Sequence, residues 1–310
     1  GLMRVLVTGA SGFVGRWLSR ALIDKGHEVL DGGPRLDVTD QGAMREALAR
    51  AEPDAVAHLA AIAFGPDAGA DPANAFRVTV GGTVNLLEAA RALRRPPAVL
   101  VTGSSDVYGT PAAEDLPLTE DAPLRPVKPY ALSKAAQESI ALAYAARHEL
   151  RVVVTRSFNH AGPGQRPVFV VPALAERVAA VARGENDEVP AGNLDVRRDV
   201  TDVRDVADAY VRLLEAVHEG RVDKSGITIN VCSGRSVTIR WLLEEFGRLA
   251  GVQPRIRIDP ALVRPDDAPE IRGDPSAIEG LIGWRATTQL ERTLGDIWAA
   301  ADKGSLSRPR

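Results

Sequence analysis

Residues 3–26 constrain the fold of this chain more than any other stretch. Met3-Arg-Val-Leu-Val-Thr8 is a short apolar, β-branched run, the pattern of a strand buried in a parallel sheet. Gly9-Ala-Ser-Gly12-Phe-Val-Gly15 follows at once. Val14, Trp17, Leu18, Ala21 and Leu22 then mark one helical stripe, closed by Lys25-Gly26. Glycines three apart between a strand and a helix have a physical reading. Gly9 allows the tight turn, Gly12 lets backbone approach a pyrophosphate, and Gly15 permits close helix–strand contact, while the helix N-terminus offers N–H donors to the anion. Gly9, Ser11, Gly12, Phe13, Val14 and Gly15 are therefore candidate contacts to a dinucleotide. The plainer alternative is a loop that needs glycine only to turn.

The same alternation continues. Apolar runs at 54–60, 98–102 and 152–155 are flanked by helical stretches, among them 80–93 and 131–147. Strands alternating with helices specify an α/β fold, a doubly wound Rossmann parallel sheet with right-handed crossovers and ligands at the carboxyl ends of its strands. Thr8-Gly9, His58-Leu-Ala-Ala61, Ser104-Ser105 and Asn159 all fall at such ends. Beyond Asn159 two Pro/Gly/Arg-rich segments, about 161–199 and 251–274, suggest a smaller C-terminal substrate lobe. The expected division is a dinucleotide domain of 3–160 plus 200–250 and a lobe of 161–199 plus 251–301.

Pro129-Tyr-Ala-Leu-Ser-Lys134 places Tyr130 and Lys134 one turn apart on a helix face. There the ammonium is expected to lower the phenol's pKa and make Tyr130 a proton donor and acceptor near neutrality. Ser104, in Val101-Thr-Gly-Ser-Ser-Asp-Val-Tyr-Gly109, can hydrogen-bond a substrate oxygen beside Tyr130. Asp106 is either a second acid/base or a turn cap, and Tyr108 reads as packing. Asp31, 22 residues beyond Gly9, can accept from a ribose 2′-hydroxyl and repel a 2′-phosphate, whereas Arg35 nearby does the opposite. The balance leans to NAD(H) over NADP(H).

Composition excludes several classes. A net charge of −3 argues against a protein built for nucleic acid or an anionic membrane. A single cysteine, Cys232, excludes an internal disulfide or a cysteine-based metal cluster and suits a reducing compartment, so a cytoplasmic location without bound metal is expected. No uncharged apolar stretch reaches membrane-spanning length, and a core strand starting at Met3 leaves no room for a signal peptide.

Taken in order, Gly9 to Gly15, Asp37-Val38, His58-Leu-Ala-Ala61, Ser104 to Gly109, Tyr130-Ala-Leu-Ser-Lys134 and Arg156-Ser-Phe-Asn159 resemble the extended short-chain dehydrogenase/reductase superfamily, in its nucleotide-sugar epimerase, dehydratase and reductase group. The resemblance implies Ser104, Tyr130 and Lys134 as the catalytic set, with Lys134 also holding the nicotinamide ribose. It implies adenine contact at Asp37 and Val38 and cofactor contacts along Leu59, Ala60 and Ala61. Ser157 to Gln165, Gly192 to Asp199, Asn230 to Gly234 and Arg264-Pro-Asp-Asp-Ala-Pro are similar to enzymes of GDP-sugars, nearest the GDP-4-keto-6-deoxy-D-mannose reductase branch with the GDP-mannose 4,6-dehydratases beside it. Carried over, Asn159, Arg198 and Arg264 would hold the diphosphate and Asp267 the guanosine ribose, with Ser105 and Val171 also lining the sugar site. Guanidinium forks suit a diphosphate and a short carboxylate suits a ribose diol. The competing reading pairs Arg198 with Asp199 or Asp202 on the surface.

Dehydratases of this kind carry a glutamate where Asp106 stands, to remove a proton from C5. The aspartate is one methylene shorter, which favours a reductase that needs no such base. Three readings follow: NAD(P)H-dependent reduction of a GDP-4-keto-6-deoxyhexose at C4, giving for example GDP-rhamnose; a dehydratase or 4-epimerase of GDP-mannose or a UDP- or dTDP-sugar with tightly held NAD; and a non-catalytic NAD(P)-binding regulator, which would have no use for Ser104, Tyr130 and Lys134. The resemblance also implies a homodimer through 80–93 and 131–147.

Overall fold

The structure, a computed structural model, describes residues 1–30 and 36–304; Asp31 and Arg35 lie outside the described residues. The first half runs β1 (Arg4–Thr8), α1 (Phe13–Asp24), β2 (Glu28–Leu30), α2 (Gln41–Ala51), β3 (Ala55–His58), α3 (Gly65–Ala70), α4 (Pro72–Phe76), a π-helical turn (Arg77–Gly81), α5 (Gly82–Arg91), β4 (Ala98–Ser104), α6 (Pro129–His148) and β5 (Val152–Ser157). The second half runs β6 (Asn159–Ala161), α7 (Val170–Ala182), β7 (Glu188–Ala191), β8 (Arg197–Asp202), α8 (Val203–His218), β9 (Ile227–Val231), β10 (Ser236–Thr238), α9 (Ile239–Ala250), β11 (Arg255–Ile258), β12 (Glu270–Ile271), α10 (Ser276–Ile282) and α11 (Leu290–Gly304).

Six strands form one parallel sheet in the order β2-β1-β3-β4-β5-β9. Helices cover both faces, which is why β3 and β5 are buried along their whole length and read as continuous apolar runs. One face packs Leu18 and Leu22 of α1 and Tyr210 and Leu214 of α8 on Val5, Val7 and Leu100. The other packs Met44, Leu48, Leu86, Leu87 and Ala141 on Leu6, Val56 and Val99. From β1 the chain turns one way to β2 and then crosses to β3 on the other side, so the strand order reverses between β1 and β3. Ligands of doubly wound sheets bind in the crevice that such a reversal opens at the carboxyl edge.

The C-terminal lobe joins β10, β8, β12 and β6 into a small sheet and pairs β11 with β7. Its core sets Leu174 and Val178 of α7 against Leu242 and Phe246 of α9 and Leu294 of α11. The expected boundaries therefore shift in two places. Helix α9, assigned to the dinucleotide domain, packs in the lobe, while Ile278 of α10 and Trp284, assigned to the lobe, return to the core of the large sheet.

Candidate active site

The turn after β1 needs its glycines for measurable reasons. Gly9 has φ +71°, and a Cβ on it would stand 3.0 Å from the Ala60 nitrogen, so the loop lies against the end of β3. A Cβ on Gly15 would stand 2.2 Å from the Gly9 carbonyl oxygen, which fixes the first turn of α1 against the loop. Gly12 is the N-cap of α1, carries no capping side chain, and no acidic residue occupies the first turn. The N–H groups at Phe13 and Val14 thus open an uncapped, uncontested helix N-terminus toward the crevice, which suits a pyrophosphate. The residues fit a dinucleotide. Asp37 turns part of its carboxylate inward, accepting from the Thr39 N–H at 2.9 Å and hydroxyl at 2.7 Å, bonds that hold its pKa down. Val38 is buried against Gly82, and its carbonyl accepts from Asn85. Leu59 and Ala60 donate their N–H groups to Thr8 Oγ1 at 3.1 and 3.2 Å, which joins the ends of β1 and β3; Ala61 follows them, half-buried.

Strand β4 delivers Ser104. Gly103 precedes it because a Cβ there would stand 2.2 Å from the Thr155 carbonyl oxygen of β5. Ser104 Oγ accepts from the Asp106 N–H at 3.1 Å, starting a 3₁₀ turn that buries Ser105 and Tyr108 and leaves Asp106 open to the cleft. Helix α6 enters with Pro129 at its first turn, where no N–H is needed, and Tyr130 and Lys134 follow on its inner face. The Ser104 hydroxyl lies near enough to the Tyr130 phenol to bear on its ionisation.

The electrostatics differ from the sequence expectation. Burial pushes the Tyr130 phenol above its ordinary range, the Asp106 charge pushes it further, and the nearby Ser104 hydroxyl acts in the other direction without reversing the shift. Lys134 does not acidify it, because the ammonium turns to the Thr102 carbonyl at 2.8 Å and to Gln137 Oε1 at 3.1 Å. Burial instead lowers Lys134 itself to about 8. The Asp106 carboxyl is raised by the crowded cleft wall against the pull of Arg198, Lys128 and Arg264, so those three cations and Asp106 face one space.

In the lobe, Arg198 pairs with Asp267 and also donates to the Ala268 carbonyl at 2.8 Å. Neither Asp199 nor Asp202 is its partner. Asp199 accepts from Ser233, Gly234 and Gly273, and Asp202 pairs with Arg204 and Thr293. Two residues expected to hold separate parts of a nucleotide therefore hold one another. Arg264 and Asn159 are exposed, whereas Val171 is buried in the lobe core.

Several residues around the site had not been singled out. Gln137 and Glu138 stand three and four positions after Lys134, a spacing that puts them on its helix face and was the available signal. Glu138 forms a buried two-pronged pair with Arg156 of β5 at 2.5 and 3.0 Å. Arg156 also donates to the Tyr108 hydroxyl, which donates to Asn230, so α6 is clamped to the sheet beside the site.

Comparison with known proteins places this geometry. Residues 5–232 match the NAD dependent epimerase/dehydratase family. The chain is similar to GDP-6-deoxy-D-mannose reductase of Pseudomonas aeruginosa, 36% identical over 95% of both chains. It is also similar to GDP-6-deoxy-D-talose 4-dehydrogenase of Aggregatibacter actinomycetemcomitans, 31% identical over 91% of this chain and 92% of the relative. Among solved structures, RMD from Pseudomonas aeruginosa complexed with NADPH superposes with a TM-score of 0.89 at 34% identity, covering 97% of this chain and 99% of that one. UDP-glucose 4-epimerase of Thermus thermophilus in complex with NAD superposes at 0.82 with 29% identity and the same coverage. On these matches and the glycine-turn crevice that accompanies them, the chain belongs to the NAD dependent epimerase/dehydratase family, within the extended short-chain dehydrogenase/reductases.

Proposed function

We propose that this protein reduces the C4 ketone of a GDP-4-keto-6-deoxyhexose to a GDP-6-deoxyhexose such as GDP-rhamnose, using NAD(P)H. The observation that carries the reading is the convergence of Ser104, at the carboxyl end of β4, and Tyr130 and Lys134, in the first turns of α6, on the crevice beside the uncapped helix N-terminus after β1. The dinucleotide, held by the Gly9–Gly15 loop, Asp37, Val38 and the 59–61 strand end, supplies hydride to C4. Tyr130 gives its phenolic proton to the ketone oxygen as the C–O double bond becomes an alcohol, and Ser104 holds that oxygen by a second hydrogen bond. Lys134 keeps a positive charge below this pair, using two of its three N–H donors on Thr102 and Gln137 and presenting the third to the nicotinamide ribose. Arg198 and Arg264 take the diphosphate, Asp267 releases Arg198 to accept the guanosine ribose, and Asn159 and Ser105 complete the sugar site.

Support also comes from two GDP-sugar enzymes to which the chain is similar. The test supplies GDP-4-keto-6-deoxy-D-mannose with NADPH or NADH and follows absorbance of the reduced coenzyme; no loss of absorbance sinks the proposal. The ratio of kcat/KM for the two coenzymes reads Asp31, since a strong preference for NADPH, the coenzyme in the RMD complex, shows that Asp31 does not face the ribose. A dehydratase or epimerase with resident NAD is favoured by one observation, the raised Asp106 carboxyl at the dehydratase glutamate position. It predicts turnover of GDP-mannose or a UDP-sugar without added reductant. We place a homodimer interface on α5 and the outer face of α6, where Leu132 is exposed; light scattering at assay concentration decides it. A cytoplasmic location fits the buried, unpaired Cys232, and among the described residues no helix is long and apolar enough to cross a membrane.

A further inference from the structure

Lys134 is a flexible side chain with a buried charge, and its bearing depends on what it meets. Apart from the Thr102 carbonyl it meets Gln137, itself only 1% exposed. Gln137 Nε2 donates to Thr83 Oγ1 at 2.9 Å and lies 3.5 Å from the Thr79 carbonyl. The amide can stand only one way round, because the reverse would aim an NH₂ group at an ammonium.

Every proton beyond it is then assigned. The single Thr83 hydroxyl proton goes to the Thr79 carbonyl at 2.6 Å, so Thr83 Oγ1 accepts both from Gln137 and from His58 Nε2 at 3.0 Å. His58 is therefore the neutral Nε2–H tautomer, and its Nδ1 accepts from Thr8 Oγ1 at 2.7 Å. Thr8 Oγ1, its proton so committed, accepts the Leu59 and Ala60 N–H groups. One chain of polar side chains thus runs from Lys134 to the strand ends at the sheet's switch point. It passes the π-helical turn Arg77–Gly81, a feature that is frequent at functional sites. The buried Thr79 hydroxyl in that turn has no hydrogen-bond partner, so the turn is not held in shape by its own side chain.

We infer that Gln137 is a positioning residue for Lys134: backed by Thr83, it fixes the direction of the ammonium toward the bound dinucleotide and couples it to the Leu59–Ala60 backbone. The inference rests on the reading that Lys134 faces a dinucleotide. The titratable groups around the ammonium are few. His58 on β3 stays neutral, Tyr130 shares α6, and Asp106 lies beyond Tyr130 on the turn after β4, facing Lys128, Arg198 and Arg264. Gln137 is the nearest acceptor on a side chain, so removing it lowers the lysine pKa further below its present depressed value.

The experiment is a fluorescence titration with NADPH from pH 6 to 10, without sugar substrate, on the wild type, Gln137→Met, Gln137→Glu and Thr83→Val. Wild-type affinity falls as pH rises through the lysine pKa near 8. Gln137→Met binds about tenfold more weakly at pH 7, the loss of one hydrogen bond to a charged group, and its decline begins at lower pH. Gln137→Glu gives the ammonium a carboxylate and moves the onset to higher pH. Thr83→Val, which does not touch Lys134, removes the acceptor that anchors the amide nitrogen, loosens the hold of its oxygen on the ammonium and shifts the onset in the same direction as Gln137→Met. A Gln137 that only fills space would change the melting temperature and leave the onset in place. Folded Gln137→Met with wild-type affinity and onset overturns the inference; if that variant does not melt cooperatively, an unmoved onset in Thr83→Val does so. Wild-type protein that binds neither NADPH nor NADH overturns the reading and the inference with it.

Discussion

His58 makes acid stability a direct probe of the network behind the site. The ring is 1% exposed, and burial, assisted by the Lys134 charge, lowers its pKa from 6.5 to about 3. The folded state thus refuses a proton that the unfolded state accepts. Above pH 6.5 both states carry a neutral ring and the contribution to stability is complete. As pH falls below 6.5 the unfolded chain binds the proton first, and stability drops by about 1.4 kcal/mol per pH unit until the folded ring also titrates near 3. Integrated from pH 8 to 5, the loss from this one residue is about 2 kcal/mol. His58→Asn isolates it. The asparagine amide oxygen takes the place of Nδ1 as acceptor for the Thr8 hydroxyl, but nothing reaches Thr83, and the side chain does not titrate. At pH 8 the variant is expected to be less stable by about 1–3 kcal/mol, the cost of a broken buried hydrogen bond. By pH 5 that gap should close by about 2 kcal/mol, because only the wild type loses stability through His58. Urea unfolding at 25 °C, at both pH values on both proteins, reads the difference, and contributions from other histidines cancel. A gap that stays constant between pH 8 and pH 5 would refute the argument, since it would mean that the folded ring accepts its proton as readily as the unfolded one.

Three further perturbations test the site and its frame. Tyr130→Phe should lower kcat/KM by about 10²–10⁴, the range for a lost general acid, while NADPH affinity stays within about threefold; undiminished turnover removes Tyr130 from the mechanism. Gly15→Ala would place a Cβ 2.2 Å from the Gly9 carbonyl, so stability should fall by about 1–3 kcal/mol in urea unfolding and dinucleotide affinity by about tenfold or more. Glu138→Ala leaves the Arg156 guanidinium, 5% exposed, without its carboxylate; unfolding should show a loss of about 3–5 kcal/mol, and a loss below about 1 kcal/mol would mean that the pair contributes nothing beyond geometry.

What the sequence disclosed and what it withheld follow one physical division. Strands buried on both faces must be apolar throughout, and a loop pressed against a helix must be glycine, so the large sheet and the 9–15 turn were legible residue by residue. Amphipathic helices announce that they have a partner but not which one, and α9 and α10 accordingly exchanged domains. The Arg198–Asp267 pair joins positions far apart in the chain, and no local pattern separates it from the nearer carboxylates at 199 and 202. The sharpest difference concerns Tyr130. Spacing placed a lysine on the same helix face, and from that followed an acidified phenol; burial, which spacing does not report, sets the opposite sign and turns the ammonium to Thr102 and Gln137. The raised phenol nevertheless agrees with the role proposed for Tyr130. Ketone reduction begins with a donor that still holds its proton, and burial together with the Asp106 charge keeps the phenol protonated at neutral pH. Burial thus prepares Tyr130 to deliver a proton to the ketone oxygen, where spacing alone had suggested an acidified phenol.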